Sequence, residues 1–508
     1  MDDEGVVSEG SSYRQILRSS SIIGGASLIN IIVSLVRTKV AAMLLGPSGI
    51  GLIGLFQNLL ATASAVAALG FGTVGTRQIA EAVGREDATA IAAARRALLW
   101  GSLVMAAVGT LVVWILRDQI ATSLLGNVNL GPDVGWLALG VGLTVAGGSQ
   151  GALLNGMRRI GDIARMTIWS SFLATAISVG ALFLYGQNGL LLFVLASPFA
   201  SFLFGHFYVA RLPEVRSPAT SFKLLNDQWR ALIYLGSAFM VTGIVASAAQ
   251  LAVRTMIQHE LGDTLLGQFQ ASWTVSMTYI GLVLAAMGTD YYPRLSAVID
   301  NHEAVNQLVN EQTEVALILA GPLLISTLAL APWIVSILYS ESFQEAAALL
   351  RWQIIGDALK IASWPLGFIL LAAGAGKRYM FAETLAAVVF VGVVWLGLPL
   401  VGLNASASGF IAMYLVYLPL VYWLAWRYSA FSWSRRILLH VVTLTVLAFI
   451  TCFTLNFSQA YGLFLAACGF CGLSIYGILR LDSVLVLSGP VAICVVLIKK
   501  LQMKLSGR

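Results

Sequence analysis

Two arginines stand in apolar segments of the chain that are long enough to cross a lipid bilayer. Arg37 lies in LINIIVSLVRTKVAAMLLG, and Arg254 lies in a related segment of the second half. A cation near the middle of a bilayer costs about 2.5–3.5 kcal/mol on insertion scales. Because an arginine offers planar, permanently charged donors that match phosphate oxygens, these two residues are candidates for binding an anion.

Polar side chains share a helical face with each arginine. Asn30 and Ser34 precede Arg37 at intervals of four and three residues, which places all three on one side of a helix. Gln250 stands four residues before Arg254 in the same way. A polar stripe inside a spanning helix lines a water-filled cavity or a helix interface. The sequence therefore predicts two polar, cationic faces within the membrane.

A third charged face is formed by Asp357 and Lys360, which share one side of a predicted helix with Gln353 and Trp364. Two interpretations remain open. The two charges form a mutually neutralising pair that makes their burial tolerable, or Lys360 binds substrate while Asp357 takes up and releases a proton.

The elements that position these residues are helices, and their solvent is lipid. Of the 508 residues, 58% are hydrophobic and 11% are charged, whereas an ordinary soluble domain is about 25% charged. The mean hydropathy is +0.85. Apolar runs of bilayer-crossing length, about 20 residues each, recur along the chain. We predict an all-α polytopic membrane protein with about 14 transmembrane helices. A last apolar stretch, 484–498, is expected to lie at the membrane interface. The predicted helices lie near residues 16–45, 49–83, 89–117, 133–157, 162–186, 188–211, 229–258, 265–292, 307–339, 345–374, 379–400, 404–427, 436–456 and 460–479.

An internal repeat organises these helices. Val36-Arg37-Thr38 matches Val253-Arg254-Thr255, and Leu45-Gly46 matches Leu261-Gly262, with a nearly constant offset. Because each copy holds an even number of helices, both stand the same way up, as in transporters with two parallel lobes. Arg37 and Arg254 are expected to face each other between the lobes. The predicted order is a cytoplasmic disordered tail at 1–15, a six-helix lobe at 16–211, a cytoplasmic linker at 212–228, a second six-helix lobe at 229–427 and extra helices at 428–508.

Charge placement and motifs narrow the function further. Lysine and arginine concentrate in one set of loops, which predicts a cytoplasmic N-terminus and explains the net charge of +6 without nucleic-acid binding. The sequence has neither a phosphate-binding glycine loop nor an acid–nucleophile arrangement around its histidines, so we expect no cofactor, no metal and no enzymatic activity. Arg77, Asp290 and Arg294 form a hypothetical cytoplasmic gate, with contact to lipid headgroups as the alternative.

Three longer segments carry a family resemblance: LGPSGIGLIGLFQNL at 45–59, YYPRLSAVIDNHEAVNQLVNEQTEVALILAGPLL at 291–324 and IVSILYSESFQEAAALLRWQIIGDALK at 334–360. With them the chain resembles the polysaccharide-transporter (Wzx-type O-antigen or lipid-linked oligosaccharide) flippases of the multidrug/oligosaccharidyl-lipid/polysaccharide exporter superfamily. The resemblance implies two MATE-like lobes around a central cavity in the cell inner membrane. It implies a polyprenyl-pyrophosphate-linked glycan as cargo, flipped from the cytoplasmic to the periplasmic face for O-antigen, capsule or exopolysaccharide synthesis, with polymerase and chain-length partners of the same pathway.

The resemblance also implies roles for the polar residues. Arg37, Arg254 and Lys360 would bind the cargo pyrophosphate, and Asp357 would couple transport to a proton or ion gradient. The residues expected to hydrogen-bond sugar hydroxyls are Asn30, Ser34, Gln57, Gln250 and Gln270. For Gln57 and Gln270, hydrogen bonding between helices is an equal alternative.

Two other classes stay open. A multidrug antiporter of the same superfamily shares the fold, but its cationic cargo would favour buried carboxylates, and the first helix has none. A membrane polymerase or ligase of the same glycans is the enzymatic alternative. Such an enzyme needs a substantial periplasmic loop, and the predicted outer connections are short turns.

Overall fold

The protein is built from long helices. The computed structural model describes residues 7–213 and 222–485, and no strand occurs among them. The first helices are α1 (Val7–Ala68), α2 (Phe71–Gly84), α3 (Ala88–Ile115), α4 (Arg117–Ser123), α5 (Gly131–Gly156), α6 (Ile160–Tyr185) and α7 (Leu190–Ala210). They are followed by α8 (Phe222–Ala297), α9 (His302–Leu338), α10 (Gln344–Ala372), α11 (Gly376–Val401), α12 (Asn404–Ser429), α13 (Arg435–Phe457) and α14 (Gln459–Leu485).

The predicted all-α polytopic membrane fold is confirmed. Within the described residues, 10 segments are long and apolar enough to cross a membrane, and two of them, of 45 and 51 residues, exceed a single crossing. Large apolar side chains face outward, among them Trp100, Phe183 and Leu400 with 62%, 68% and 82% of their surface exposed. Lipid is the solvent that suits such a surface. The number of 14 crossings stays a prediction.

Most predicted helix boundaries lie within a few residues of the observed ones, but some are wrong. Helix α1 begins at Val7, so the part of the predicted disordered tail from that residue onward is helical. The predicted helix 49–83 is interrupted at Leu69 and Gly70, which both have positive φ. Helix α8 begins at Phe222 and therefore includes the end of the predicted linker. Most of the stretch 484–498 lies outside the described residues.

The two glycines matched in the repeat carry the same unusual backbone conformation. Gly46 in α1 has φ 63° and ψ −166°, and Gly262 in α8 has φ 84° and ψ 174°. This region of backbone space is essentially restricted to glycine. Each glycine has non-helical backbone angles and separates two helical arms across a kink, at the places where the sequence predicted a break between helices.

The chain segments that follow the two bends touch each other reciprocally. Counted from Gly46 and Gly262, Pro47 corresponds to Asp263 and Gly51 corresponds to Gly267. A Cβ on Gly51 would stand 2.6 Å from the carbonyl oxygen of Asp263, and a Cβ on Gly267 would overlap the carbonyl group of Pro47. Glycine is thus required at both positions for the backbones to approach this closely.

Gly267→Ala is expected to destabilise the protein by about 1–3 kcal/mol, the usual effect of forcing extra atoms into a packed site. The matched control is Gly392→Ala in α11, where a Cβ would meet nothing within 4 Å. There alanine should be neutral or stabilising, because it is the better helix former. Thermal unfolding of the purified proteins in detergent compares the two, and equal transition temperatures would contradict the close contact.

Two compact units divide the described chain. The first contains residues up to Gly267 together with Leu338–Ser340, and the second contains the remainder. The first is packed around side chains from α2, α3, α5 and α7, including Phe71, Leu98 and Leu153. The predicted lobes 16–211 and 229–427 stay a prediction, because the boundary between the units falls inside α8.

Helix α10 is the enclosed helix of the second unit. Ile354, Asp357, Ala358, Ile361 and Ala362 are each at most 1% exposed. The helix packs along α12 and also contacts α11 and α13. Asp357 on α10 is therefore held inside protein and not against lipid.

Candidate functional site

A polar cavity surrounds Arg37 in the first unit. It has a volume of about 330 Å³, and eight of its ten lining residues carry a polar side chain. Helix α1 supplies the stripe predicted from the sequence, and α6 and α7 supply a set of hydroxyl groups. The lining residues are Asn30, Ser34, Arg37, Met166, Thr167, Ser170, Ser171, Ala174, Ser197 and Ser201.

Small residues explain how α6 and α7 form this wall. Ala174, Ala196 and Ala200 make a buried cluster between the two helices. The Ser170 hydroxyl donates to the backbone oxygen of Ala200 at 3.2 Å, and the Ser178 hydroxyl donates to that of Phe193 at 3.1 Å. Small side chains let helices approach closely, and serines bond across the interface.

Arg37 keeps part of its hydrogen-bonding capacity unused. One Nη1–H donates to the Ser197 hydroxyl at 2.5 Å, and the guanidinium lies 5.3 Å from the centre of the Phe193 ring. Its buried Nε–H has no acceptor in the described part of the chain, and no carboxylate there pairs with it. A buried donor without an acceptor is a place where a ligand oxygen would be stabilised.

Arg254 lies elsewhere and has different neighbours. Only 3% of it is exposed. Its Nη1 donates to the backbone oxygen and the side-chain Oε1 of Gln250 at 3.1 and 3.4 Å, so the two residues that were predicted to share a face do touch. The described walls of the Arg37 cavity contain neither Arg254 nor Lys360. The single cavity expected to hold all three cations stays a prediction.

Asp357 occupies a hydroxyl-rich site in the second unit. Its Oδ2 accepts hydrogen bonds from Tyr279 and, at 2.8 Å, from Ser276, both on α8. Its Oδ1 has no partner among the described residues, and neither does the amide of Gln353 one turn earlier. Buried polar atoms of this kind normally bind water, an ion or another polar group.

Asp357 and Lys360, the predicted neutralising pair, have different direct contacts. The described part of the chain contains no salt bridge between them, and the Lys360 ammonium contacts the sulfur of Met277 at 3.2 Å. Each side chain turns to a different residue of α8. Both interpretations of the two charges therefore stay predictions.

Several functional candidates were missed or misplaced by sequence reasoning. The spacing of Ser276 and Tyr279 could have indicated a polar helical face, since the two residues are three positions apart. Glu383 on α11 was not singled out from the sequence as a site residue, yet it is half-buried and accepts a hydrogen bond from the Tyr417 hydroxyl at 2.7 Å. Only the packing of α11 against α12 reveals that contact.

The remaining predicted residues have separate local contacts, and their roles stay predictions. Gln57 is half-buried and makes no hydrogen bond within the described chain. Gln270 donates to the Thr274 hydroxyl at 3.1 Å on its own helix. Arg77 is exposed and pairs with Glu81 at 2.7 Å, which lowers the pKa of that carboxyl.

The other two residues of the predicted cytoplasmic gate are Arg294 and Asp290. Arg294 is exposed, and the side chain of Asp290 lies outside the described part of the structure. The gate formed by these two residues with Arg77 stays a prediction.

The sequence profile of a family described as "Polysaccharide biosynthesis protein" matches residues 40–348. That span is more than half of the chain. The chain belongs to this family.

Individual proteins extend the comparison over most of the chain. The lipid III flippase of Escherichia coli K12 is 23% identical over 425 residues, which are 82% of this chain and 100% of the flippase. Among solved structures, an inward-facing MATE-family multidrug resistance transporter superposes with a TM-score of 0.69 at 16% identity, covering 79% of this chain and 94% of that one. The lipid II flippase MurJ, in an inward closed conformation, gives 0.64 at 14% identity, covering 90% and 98%.

These likenesses settle the fold and the family. The architecture is that of the MATE-like transporters, and the predicted resemblance to polysaccharide transporters of the multidrug/oligosaccharidyl-lipid/polysaccharide exporter superfamily is confirmed. The lipid III flippase and MurJ are both named as lipid flippases, which agrees with the expectation of a transporter and not an enzyme.

Proposed function

We propose that this protein flips a lipid-linked glycan across the membrane and that Arg37 binds the phosphate part of the cargo. The observation that carries the proposal is a half-buried arginine with a buried Nε, without a carboxylate partner among the described residues, in a hydroxyl-lined cavity of a membrane protein. Membership in the polysaccharide biosynthesis family and similarity to a lipid III flippase support a glycan cargo.

The cavity suits the chemistry of an anionic headgroup. A phosphate crossing a low-dielectric layer loses its hydration, and charge-assisted hydrogen bonds from arginine replace part of it. Serine, threonine and asparagine both donate and accept, so the other wall residues can bond phosphate oxygens or sugar hydroxyls. The volume of about 330 Å³ is at the low end of ligand cavities, about 300–1,000 Å³. The cavity would therefore hold only part of the cargo at a time.

The cargo in this proposal is a polyprenyl-pyrophosphate-linked oligosaccharide. It moves from the cytoplasmic to the periplasmic leaflet of the inner membrane, with the N-terminus of the protein in the cytoplasm, as the lysine and arginine distribution favours. O-antigen, capsule or exopolysaccharide synthesis would consume it, with polymerase and chain-length proteins as pathway partners. Arg254, Lys360, Gln57, Gln250 and Gln270 are proposed to contact the cargo at other stages of alternating access.

A second candidate, an ion-coupled multidrug antiporter of the same superfamily, is favoured by one observation. Asp357 is a fully buried carboxylate that accepts two hydroxyl donors. Buried carboxylates in transporters commonly serve proton or ion coupling. In a flippase the same residue can couple glycan movement to a gradient, so the site does not exclude the first proposal.

Reconstitution distinguishes the two functions. We expect proteoliposomes with the purified protein to transfer a fluorescent polyprenyl-pyrophosphate-linked oligosaccharide between leaflets, whereas protein-free liposomes retain it on one side. A quencher added outside reports the transfer. Uptake of a cationic dye against a proton gradient, without transfer of the glycan lipid, would contradict the flippase proposal and support the antiporter.

A further inference from the structure

Two adjoining cavities lie where α9, α13 and α14 meet in the second unit. One is polar, with a volume of about 710 Å³, and its wall includes Glu314, Arg435 and Arg480. The other is apolar, with a volume of about 470 Å³. Arg436 and Leu439 belong to both walls, so the cavities form one groove with a charged end and an apolar end. We call it the α13–α14 groove.

The charged end attracts anions. Arg480 donates from Nε and Nη2 to the Glu314 carboxylate at 2.7 and 3.1 Å, and Arg436 Nη1 stands 3.9 Å from the same carboxylate. The wall also contains Glu311 and Arg435, so three arginines face two glutamates and leave one net positive charge. The side chain of Arg436 is 58% exposed and can therefore turn to a ligand.

A buried histidine lies one turn deeper. His440 is 9% exposed, and its ring stands edge-on to Tyr476 with 5.1 Å between the ring centres. Its Nε2 atom has no hydrogen-bond partner in the described part of the chain. Since His440 follows Arg436 by four residues, the two are separated by about 6 Å along the helix axis. A ligand that suits the groove has an anionic group and, next to it, a polar atom for this imidazole.

The apolar end offers room for a hydrocarbon chain. Leu447 and Leu473 line it together with Gly469 and Gly472. A Cβ on Gly472 would meet nothing within 4 Å, which shows that the groove is open at this residue. An acyl chain could lie there against leucine side chains.

We propose that the α13–α14 groove is a binding site for an anionic phospholipid. The phosphate lies against Arg435 and Arg436, an ester carbonyl accepts a hydrogen bond from His440, and one acyl chain lies along Leu447 and Leu473. A polyprenyl phosphate has the charge and the hydrocarbon but no carbonyl next to its phosphate. The histidine therefore favours a glycerophospholipid over the glycan carrier.

Lipid binding to the full-length protein in detergent tests the proposal. Phosphatidylglycerol should remain bound in native mass spectrometry and raise the unfolding temperature, whereas phosphatidylcholine should do neither. Arg436→Gln should weaken phosphatidylglycerol binding about tenfold, as expected when a charged hydrogen bond is lost. Gly472→Leu fills the open part of the groove and should weaken phosphatidylglycerol binding to a similar extent. Arg165→Gln, which removes an exposed arginine paired with Asp162 at 3.3 Å, is the control and should bind normally.

Two results would overturn the proposal. One is phosphatidylglycerol binding that Arg436→Gln and Gly472→Leu both leave at the level of the control. The other is displacement of phosphatidylglycerol by an equal concentration of polyprenyl phosphate, which would assign the groove to the glycan carrier. Because Gly472→Leu adds atoms to open space and removes no contact, it should fold even if the loss of Arg436 disturbs the Glu314 cluster.

Discussion

Arg37→Gln is expected to reduce glycan export by about 10- to 100-fold while membrane abundance stays normal. Loss of one charged hydrogen-bonding partner costs about 1.5–3 kcal/mol, and each 1.36 kcal/mol changes a rate tenfold. Glutamine is short and neutral, so it cannot bring a positive charge to the ligand side of the cavity. The lipid-linked sugar should accumulate on the cytoplasmic side of the cells.

Two further variants sharpen this test. Arg37→Lys should recover part of the export, since it keeps a point charge but loses the planar fork of donors. Arg85→Gln removes an exposed arginine after α2 and serves as the control with normal export. Export is measured as surface polysaccharide, normalised to immunoblotted protein in membranes. Normal export by Arg37→Gln at normal abundance would refute the role of the cavity, and low abundance of both Arg37 variants would indicate a structural role.

Asp357→Asn is expected to abolish the response of transport to an imposed proton or ion gradient. Asparagine keeps the shape of the side chain and can still accept from Tyr279 and Ser276, but it cannot carry the charge that a proton or cation would neutralise. The rate without a gradient should fall no more than about tenfold, the effect of one charged hydrogen bond. The measurement is glycan-lipid transfer in proteoliposomes, with and without a gradient.

Tyr279→Phe is the matched variant for Asp357. It removes one donor from the carboxylate but preserves the charge, so gradient dependence should persist with a shifted midpoint. If Asp357→Asn responds to the gradient as the wild type does, this carboxylate has no part in coupling.

The sequence predicted the fold well because long apolar runs leave few alternatives. Observed helices such as α3 and α9 differ from the predicted spans by a few residues. The errors lie where hydropathy is uninformative. Leu69 and Gly70 are apolar, so their positive φ left no trace in the hydropathy pattern. The breaks predicted near Gly46 and Gly262 do coincide with non-helical backbone.

The candidate site was predictable only along single helices. Periodicity placed Asn30, Ser34 and Arg37 on one face, and the structure gathers them in one cavity. Periodicity could not identify Ser197 as a residue of the cavity, because a serine in an apolar helix is equally typical of helix packing. The different contacts of Asp357 and Lys360 depend on which α8 residues lie opposite each of them. That is a property of tertiary packing.

The reciprocal contact of Gly51 and Gly267 has the pattern of an isologous interface, in which one patch meets a copy of itself across a twofold axis. Two half-length chains joined as a homodimer would make this contact with identical residues. In such a dimer any change to one arginine would change both. A single chain is free of that restriction, and here the two arginines have different neighbours: Arg37 lines a hydroxyl-lined cavity, while Arg254 bonds its own helix at Gln250. The glycine contact thus follows the sequence repeat, whereas the surroundings of the two arginines do not.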